Sequence, residues 1–451
     1  MAIPQNSLQN VALYEKAQLA YLLNEYGVLA NANMKFQNFN ENTANLGDTV
    51  TFDAAVRYIG YSGLVVTMQP SVQNVVKLVC SQAYNIATSF TDQQFIFNAR
   101  SYEDRFEEAA IRELGDSIEY DISLNAVSGV VVNDPQNSLF GQKQTDSGPY
   151  RFYYSGLSMG DSGPVPSAIN SYEQLAQAVA NFNDYGSAKV KRIGFIPSVK
   201  VPPIVGSGLT QFATNRNNEI ANTWELGEFS GFKWVAGNLL PRHVAGNVGN
   251  SGSGGNVLTV VSVNDPSGTN VTQIVFSGAT PNDNNAIKSG DLFEFNDGVI
   301  NKPDLRFLTY IGHKPTDQRV QFVAISDSGA DGSGNVIVNL RAGGSGQGLT
   351  WVQNQNQNLN NALQVGMQVT VMPTHRAGLI VSGDQFYLAM PALPDQDPYQ
   401  TVVTTDDKTG CSIRHYWGAQ GFGLNARAYV QDVIWGSTLY GPNSMRLIFP
   451  G

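Results

Sequence analysis

Between residues 7 and 26 the apolar positions Leu8, Val11, Ala12, Tyr14, Leu19, Leu22 and Leu23 recur at the helical period of about 3.6 residues. Gly27 follows as a natural stop. The next stretch, LANANMKFQNFNENTANLG, has no periodicity, so this helix stands on an extended arm without an obvious core. From Gly47 the period becomes two. GDTVTFDAAVRY and NVVKLVCSQAYNI read as two long strands of a hairpin, and its tip, IGYSGLVVTMQPS, is partly apolar.

The strongest helical pattern runs from Tyr102 to Ser128. Ser101 is its N-cap, Asp104 stands at the third position, and Gly129 closes it. Phe106, Ala110, Leu114, Ile118, Ile122 and Ala126 form one stripe at intervals of four. Glu103, Glu107, Asp116, Glu119 and Asp121 fall largely elsewhere and are expected on a solvated or partner-facing surface. At ~1.5 Å per residue this spine is roughly 40 Å long. A second helix, SYEQLAQAVANFNDYG, is capped by Asn170 or Ser171 and ends at Gly186. The strand VKRIGFIP comes next, then a helix-prone stretch, LTQFATNRNNEIANTW, and GFKWVAGNLLPRHVAG.

At Gly246 the pattern breaks. GNVGNSGSGG reads as a flexible, low-complexity joint. Beyond it LTVVSV, QIVFSG, DLFEFNDG, LRFLTYIG, RVQFVAIS, VIVNL and MQVTVMP are short strands separated by Gly, Asp or Asn turns, the pattern of a small antiparallel barrel or sandwich. After Pro373 the mixed pattern that precedes Gly246 resumes. The chain is therefore expected to be α+β, with an antiparallel β-barrel inserted into a parent domain. The divisions are an arm at 1–46, a hairpin at 47–88, a spine-helix region at 89–145, a mixed domain at 146–246, the inserted barrel at 247–371 and a return to the parent at 372–451.

Composition narrows the function classes. Among 451 residues only 14% are charged, with a net charge of -10, which excludes a surface built to grip DNA or an anionic membrane. Two cysteines, Cys80 and Cys411, are too few for a disulfide scaffold or a cysteine zinc site. No secretory signal and no spanning apolar run is visible, so no membrane association is expected.

GLSMGDSGP, 156–164, holds two overlapping serine-hydrolase patterns, around Ser158 and Ser162. Pro164 and Pro166 oppose the helix that a nucleophile elbow requires. All four histidines, His243, His313, His375 and His415, lie downstream, the wrong order for a chymotrypsin-like triad. The stretch reads as a surface loop. The histidines have no metal-ligand spacing, and DSGADGSGN, 327–335, reads as a hairpin turn in place of a calcium loop. No catalytic residue, metal or cofactor is assigned. The arm residues Leu19, Leu22 and Leu23 and the tip residues Leu64, Val65 and Val66 remain as apolar groups without a core, the expected contacts between subunits.

Arm, hairpin, spine helix and mixed domain follow one another in an order that resembles the major capsid protein of tailed double-stranded DNA phages, the Hong Kong phage fold. GDTVTF is similar to the opening of its extended loop. NVVKLVCSQAYNIATSFTDQQF followed by RFEEAAIRELGDSIEYDI resembles the strand and spine helix of short-tailed-phage coat proteins. KRIGFIPS, GEFSGFKWVAGNLLPRHVAG and DVIWGSTLYGPNSMRLI resemble their axial, central and closing segments, and IKSGDLFEFNDGVINKP resembles the inserted β-barrel of one subgroup. The resemblance implies a structural subunit that assembles with itself as pentamers and hexamers into an icosahedral virion shell. It also implies a scaffolding protein, a portal and a decoration protein as partners, enclosure of double-stranded DNA without sequence-specific binding, and assembly in the host bacterial cytoplasm. A serine hydrolase and a β-rich binding module stand as alternatives.

Overall fold

Alternation along the central strands decides how the parent domain is layered. Phe195 and Leu379 point to one face of a sheet, while their neighbours Ile196 and Ile380 point to the other, and all four are buried. The computed structural model describes residues 27–34, 49–53, 56–61, 64, 68–69, 75–80, 82–91, 108–128, 148–155, 157–160, 163–166, 169–209, 227–251, 255–343, 347–395, 399–405, 411–419 and 426–450. The expected helix at 7–26, the first turns of the spine helix at 102–107 and most of the helix-prone stretch at 210–224 lie outside these residues.

The sheet runs in the order Phe152–Tyr153, Ser444–Pro450, His375–Val381, Ile193–Pro197, Phe232–Gly237, Glu228–Phe229, and Arg242–His243 also pairs with His375–Val381. The spine helix α1, Glu108–Ser128, covers one face with Leu114, Ile118 and Ile122, which share a core with Phe195 and Leu379. Two helices cover the other face. α2, Tyr172–Asp184, packs Leu175, Val179 and Phe182 there, and Ser171 caps it by accepting from the Gln174 amide at 3.3 Å. α3, Val201–Leu209, adds Ile204 and Val205. The sequence reading assigned no element to α3; its Pro202 and Pro203 fall in the first helical turn, where proline is tolerated.

A second sheet joins Phe386–Ala389, Ala426–Leu439, Ser412–Ala419 and Gln400–Thr405, and Gln82–Thr91 pairs along ten residues of the long strand Ala426–Leu439. This corrects the reading of NVVKLVCSQAYNI as one strand. Val75–Val79 pairs with Thr49–Asp53, and the chain then turns at Cys80 into a different sheet. Gly436 allows the turn. A Cβ there would stand 2.3 Å from the Val79 carbonyl oxygen, so only glycine admits the crossing backbone.

Six strands close the barrel in the order Val257–Val263, Gln273–Ser277, Asn335–Arg341, Gln321–Ala324, Leu292–Phe295, Gln368–Val371, and the last pairs with the first. The molecule is thus mixed α+β, with strands predominating and a closed antiparallel barrel. Phe276, Phe293 and Phe322 stack inside the barrel, the last two with ring centroids 4.6 Å apart. One of the seven expected strands, LRFLTYIG, does not join the barrel: Arg306–Leu308 pairs with Pro315–Arg319 in a separate ladder. In the 327–335 turn the Asp331 carboxylate accepts from the amides of Ser333 and Asn335, both at 2.8 Å, and Gly334 takes a positive φ of 76°.

Two other expectations are overturned. The joint after Gly246 is not loose where it is described. The Asn247 and Val248 amides donate to Asn285 and Ala286 carbonyls at 2.9 and 3.1 Å, and Val248 is buried. A Cβ on Gly246 would lie 2.4 Å from the Ala286 oxygen, so its glycine serves close approach. Nor does Glu119 face solvent. It is buried, and its two carboxylate oxygens accept from the amides of Val28 and Leu29 at 2.8 and 2.7 Å. The 27–34 segment therefore has a core: Val28, Leu29 and Met34 pack with α1. Burial pushes the Glu119 carboxyl up, against the pull of those two amides.

Two outcomes follow. Glu119→Ala leaves two buried amides without an acceptor, and hydrogen exchange at Val28 and Leu29 is expected to rise at least ~10-fold. Because the barrel strands close on themselves, we propose that residues 247–371 form a unit able to fold alone. The isolated fragment is expected to melt cooperatively by circular dichroism, and a disordered spectrum at several trial boundaries would reject this.

Candidate functional site

The hairpin rises from the ladder of Thr49–Asp53 and Val75–Val79. Above it the two legs are tied by one amide: Gln69 accepts from the Ile59 amide at 3.0 Å and donates to its carbonyl at 2.6 Å. Ile59 and Arg57 turn inward, while Tyr58 and Tyr61 turn out. Beyond them Leu64 is 103% exposed and Met68 91% exposed. An apolar pair so fully presented to water is the kind of surface that a partner covers. Of the six expected contact residues Leu64 alone is described; Val65, Val66, Leu19, Leu22 and Leu23 lie outside the described residues.

The hairpin leg leans on the barrel domain through Arg57, which donates to the Gln357 carbonyl at 2.9 Å. Sequence reading missed this residue. The available signal was its isolation, for it is the only charged residue between Asp53 and Lys77.

Where the barrel leaves and rejoins the parent sheet, buried charge collects. Asp291 is fully buried and accepts from the Lys288 amide at 2.8 Å, the Gly246 amide at 3.1 Å and His243 Nε2 at 2.7 Å. Arg446, also fully buried, donates to the Val127 and Gly290 carbonyls at 2.9 and 3.2 Å. Burial pulls its guanidinium down to about 9, opposed by Asp291. His375 donates from Nδ1 to the Pro373 carbonyl at 2.7 Å, and burial followed by Arg446 and His243 hold it well below the usual imidazole range. His415 bonds the Tyr429 hydroxyl at 2.7 Å and is pushed down to about 4 by burial. The contacts of Asp291, Arg446 and His375 are structural ones of this junction, whereas His415 lies apart from it, on the Ser412–Ala419 strand of the second sheet.

Ser158 belongs to a two-stranded ladder, Leu157–Gly160 against Gly163–Pro166, where it pairs with Val165. That corrects the loop reading of GLSMGDSGP, and Ser162 lies outside the described residues. The four histidines stand on other elements. Among the described residues no group of three or more His, Cys, Asp and Glu is placed to hold a metal ion, and no helix is long and apolar enough to cross a membrane. A cleft of about 350 Å³ between α2 and the barrel is lined by Tyr154, Gln177, Asn181, Glu294 and Arg319 among others. Its Glu294 is already engaged by Tyr154 at 2.5 Å, Gln321 at 2.7 Å and Arg319 at 3.1 Å.

No family model matches the sequence, and no curated protein does. Several solved structures are similar to the chain, phage capsids among them. One from Mycobacterium phage Che8 is 9% identical, covering 95% of this chain and 89% of its own at a TM-score of 0.39. The capsid of cyanophage P-SCSP1u is 10% identical over 91% and 85%, again at 0.39. The capsid of Ralstonia phage GP4 is 9% identical over 90% and 85%, at 0.35.

Asp291→Ala removes the acceptor of three donors and the counter-charge beside Arg446, and is expected to cost ~3–5 kcal/mol in urea unfolding. The buried histidines add a pH dependence. A folded-state value below the unfolded 6.5 means stability present above 6.5 and lost as pH falls toward about 4 for His415. His415→Gln is expected to make that fall shallower by roughly 3 kcal/mol, measured as unfolding free energy against pH.

Proposed function

We propose that this chain is the structural major capsid protein of a tailed double-stranded DNA phage, with no enzymatic role. Copies of it assemble as pentamers and hexamers into an icosahedral shell around the genome. The hairpin carries the reading: it presents Leu64 and Met68 to water at the end of a two-stranded stem. Such a stem has no core of its own to bury them, and a neighbouring copy supplies one. The segments from GDTVTF to DVIWGSTLYGPNSMRLI that resemble tailed-phage coat proteins support the same reading. The net charge of -10 suits a wall that encloses DNA without gripping it. On this reading a scaffolding protein, a portal and a decoration protein are the partners, the host cytoplasm is where assembly occurs, and the virion capsid is the destination. The Hong Kong phage fold, with its axial and peripheral domains, is the architecture that the resemblance implies for the parent domain.

Each tip contact buries a side chain worth ~1.5–3 kcal/mol, about tenfold or more in each association constant. A shell multiplies that contact, so Leu64→Asp is expected to yield folded, soluble small oligomers with no shells. Val65→Asp and Leu22→Asp are expected to do the same. Sedimentation reads assembly and circular dichroism reads folding; shells of ordinary size from all three variants would reject the reading.

A further inference from the structure

Arg57 is 7% exposed, and among the described residues its hydrogen bonds and its ring contact go to the inserted barrel domain. Besides the Gln357 carbonyl, its Nη2 meets Nε2 of His313 at 3.1 Å, and its guanidinium lies over the Tyr310 ring at 4.6 Å from the centroid. Tyr310 and His313 sit on the turn between Arg306–Leu308 and Pro315–Arg319. The turn is fixed by its own backbone: the His313 amide donates to Thr309 at 3.1 Å, the Thr309 amide donates to Lys314 at 2.7 Å, and His313 has a φ of 50°.

Nε2 of His313 has two neighbours with opposite requirements. A guanidinium can only donate, so the contact with Arg57 requires an unprotonated Nε2. The Gln355 carbonyl, 3.3 Å from the same atom, can only accept and requires a proton there. Uptake of one proton therefore exchanges the two bonds and sets an imidazolium against a guanidinium.

We propose that the Arg57–His313 contact is a proton-operated latch, which holds the hairpin leg on the barrel domain while His313 is neutral and releases it when His313 is protonated. The carbonyls of Gln355 and Ile311 favour the protonated ring, but burial and the Arg57 charge outweigh them. Its own turn supplies Tyr310, whose hydroxyl bonds that of Tyr440, and the exposed Lys314. The 355–357 loop supplies the carbonyls of Gln355 and Gln357, and the hairpin leg supplies Arg57 and Tyr58. Burial and then Arg57 hold His313 below its ordinary 6.5. The latch is thus closed above pH 6.5 and opens as pH falls through the lowered value. Val76, at the base of the return leg, is buried in the cluster that includes the barrel core, so opening frees the leg and tip while the base stays anchored.

The test uses the full-length chain with spin labels at Leu64→Cys and at Ile300→Cys, an exposed barrel position; native Cys80 and Cys411 are buried. Pulsed electron paramagnetic resonance reads the distance distribution at about pH 7.5 and at the lowest pH at which circular dichroism shows the fold intact. The distribution is expected to be narrow at the higher pH and broad at the lower, with circular dichroism unchanged. His313→Gln, which accepts from Arg57 and cannot titrate, is expected to stay narrow at both, and Arg57→Gln to be broad at both. Identical distributions for the unsubstituted latch at the two pH values, or the same broadening in His313→Gln, would overturn the proposal.

Discussion

The buried carboxylate of Asp291 is the joint on which the two-part architecture turns. The chain leaves the parent sheet after Arg242–His243 and returns at His375, and those two strands pair directly, His243 opposite His375. An insertion of more than a hundred residues therefore starts and ends at one rung of one ladder, where it cannot distort the sheet. Asp291 sits at the same place and takes hydrogen bonds from His243 in the parent and from Gly246 and Lys288 in the insertion. A carboxylate so enclosed would be costly without those donors and without Arg446 near it. With them, it ties His243 of the parent to Gly246 and Lys288 of the insertion.

The rest of the junction follows that constraint. Tyr150 and Tyr185 of the parent share a 2.6 Å hydroxyl bond and pack their rings on Phe307. Arg151 lies over Tyr185 at 3.9 Å. Tyr310 reaches from the inserted ladder to Tyr440 of the parent. The barrel is thereby embedded against the parent domain, and the hairpin leg, carrying an exposed apolar tip, rests on it through Arg57. Core, barrel and hairpin form one mechanical series.

Elements with a strong period were legible in the sequence. The stripe from Ala110 to Ala126 reports one buried face, as does the alternation in the barrel strands Gln273–Ser277 and Asn335–Arg341. What escaped was set by partners far along the chain. Glu119 looks like a surface acid until Val28 and Leu29, some ninety residues before it, arrive as donors. Its helical neighbours Gly115 and Ser123, small and one turn away on either side, were the sign of room for another segment. The break at Cys80 depends on Gly436, and the pinned glycines Gly246 and Gly249 lie against the Ala286 and Met372 carbonyls. Composition reads such glycines as flexibility, whereas their chemistry here is close approach. Of the candidate site, the apolar tip was visible as an unpaired hydrophobic run, but Arg57 acquires meaning only once the barrel domain lies beside it.

Assembly of the unaltered chain is the most direct measurement. Purified at rising concentration, it should pass from small oligomers to closed, megadalton shells, seen together by sedimentation velocity and negative-stain electron microscopy. A single species near 48.7 kDa at every concentration, with no rings or shells on the grid, would contradict a shell-forming subunit.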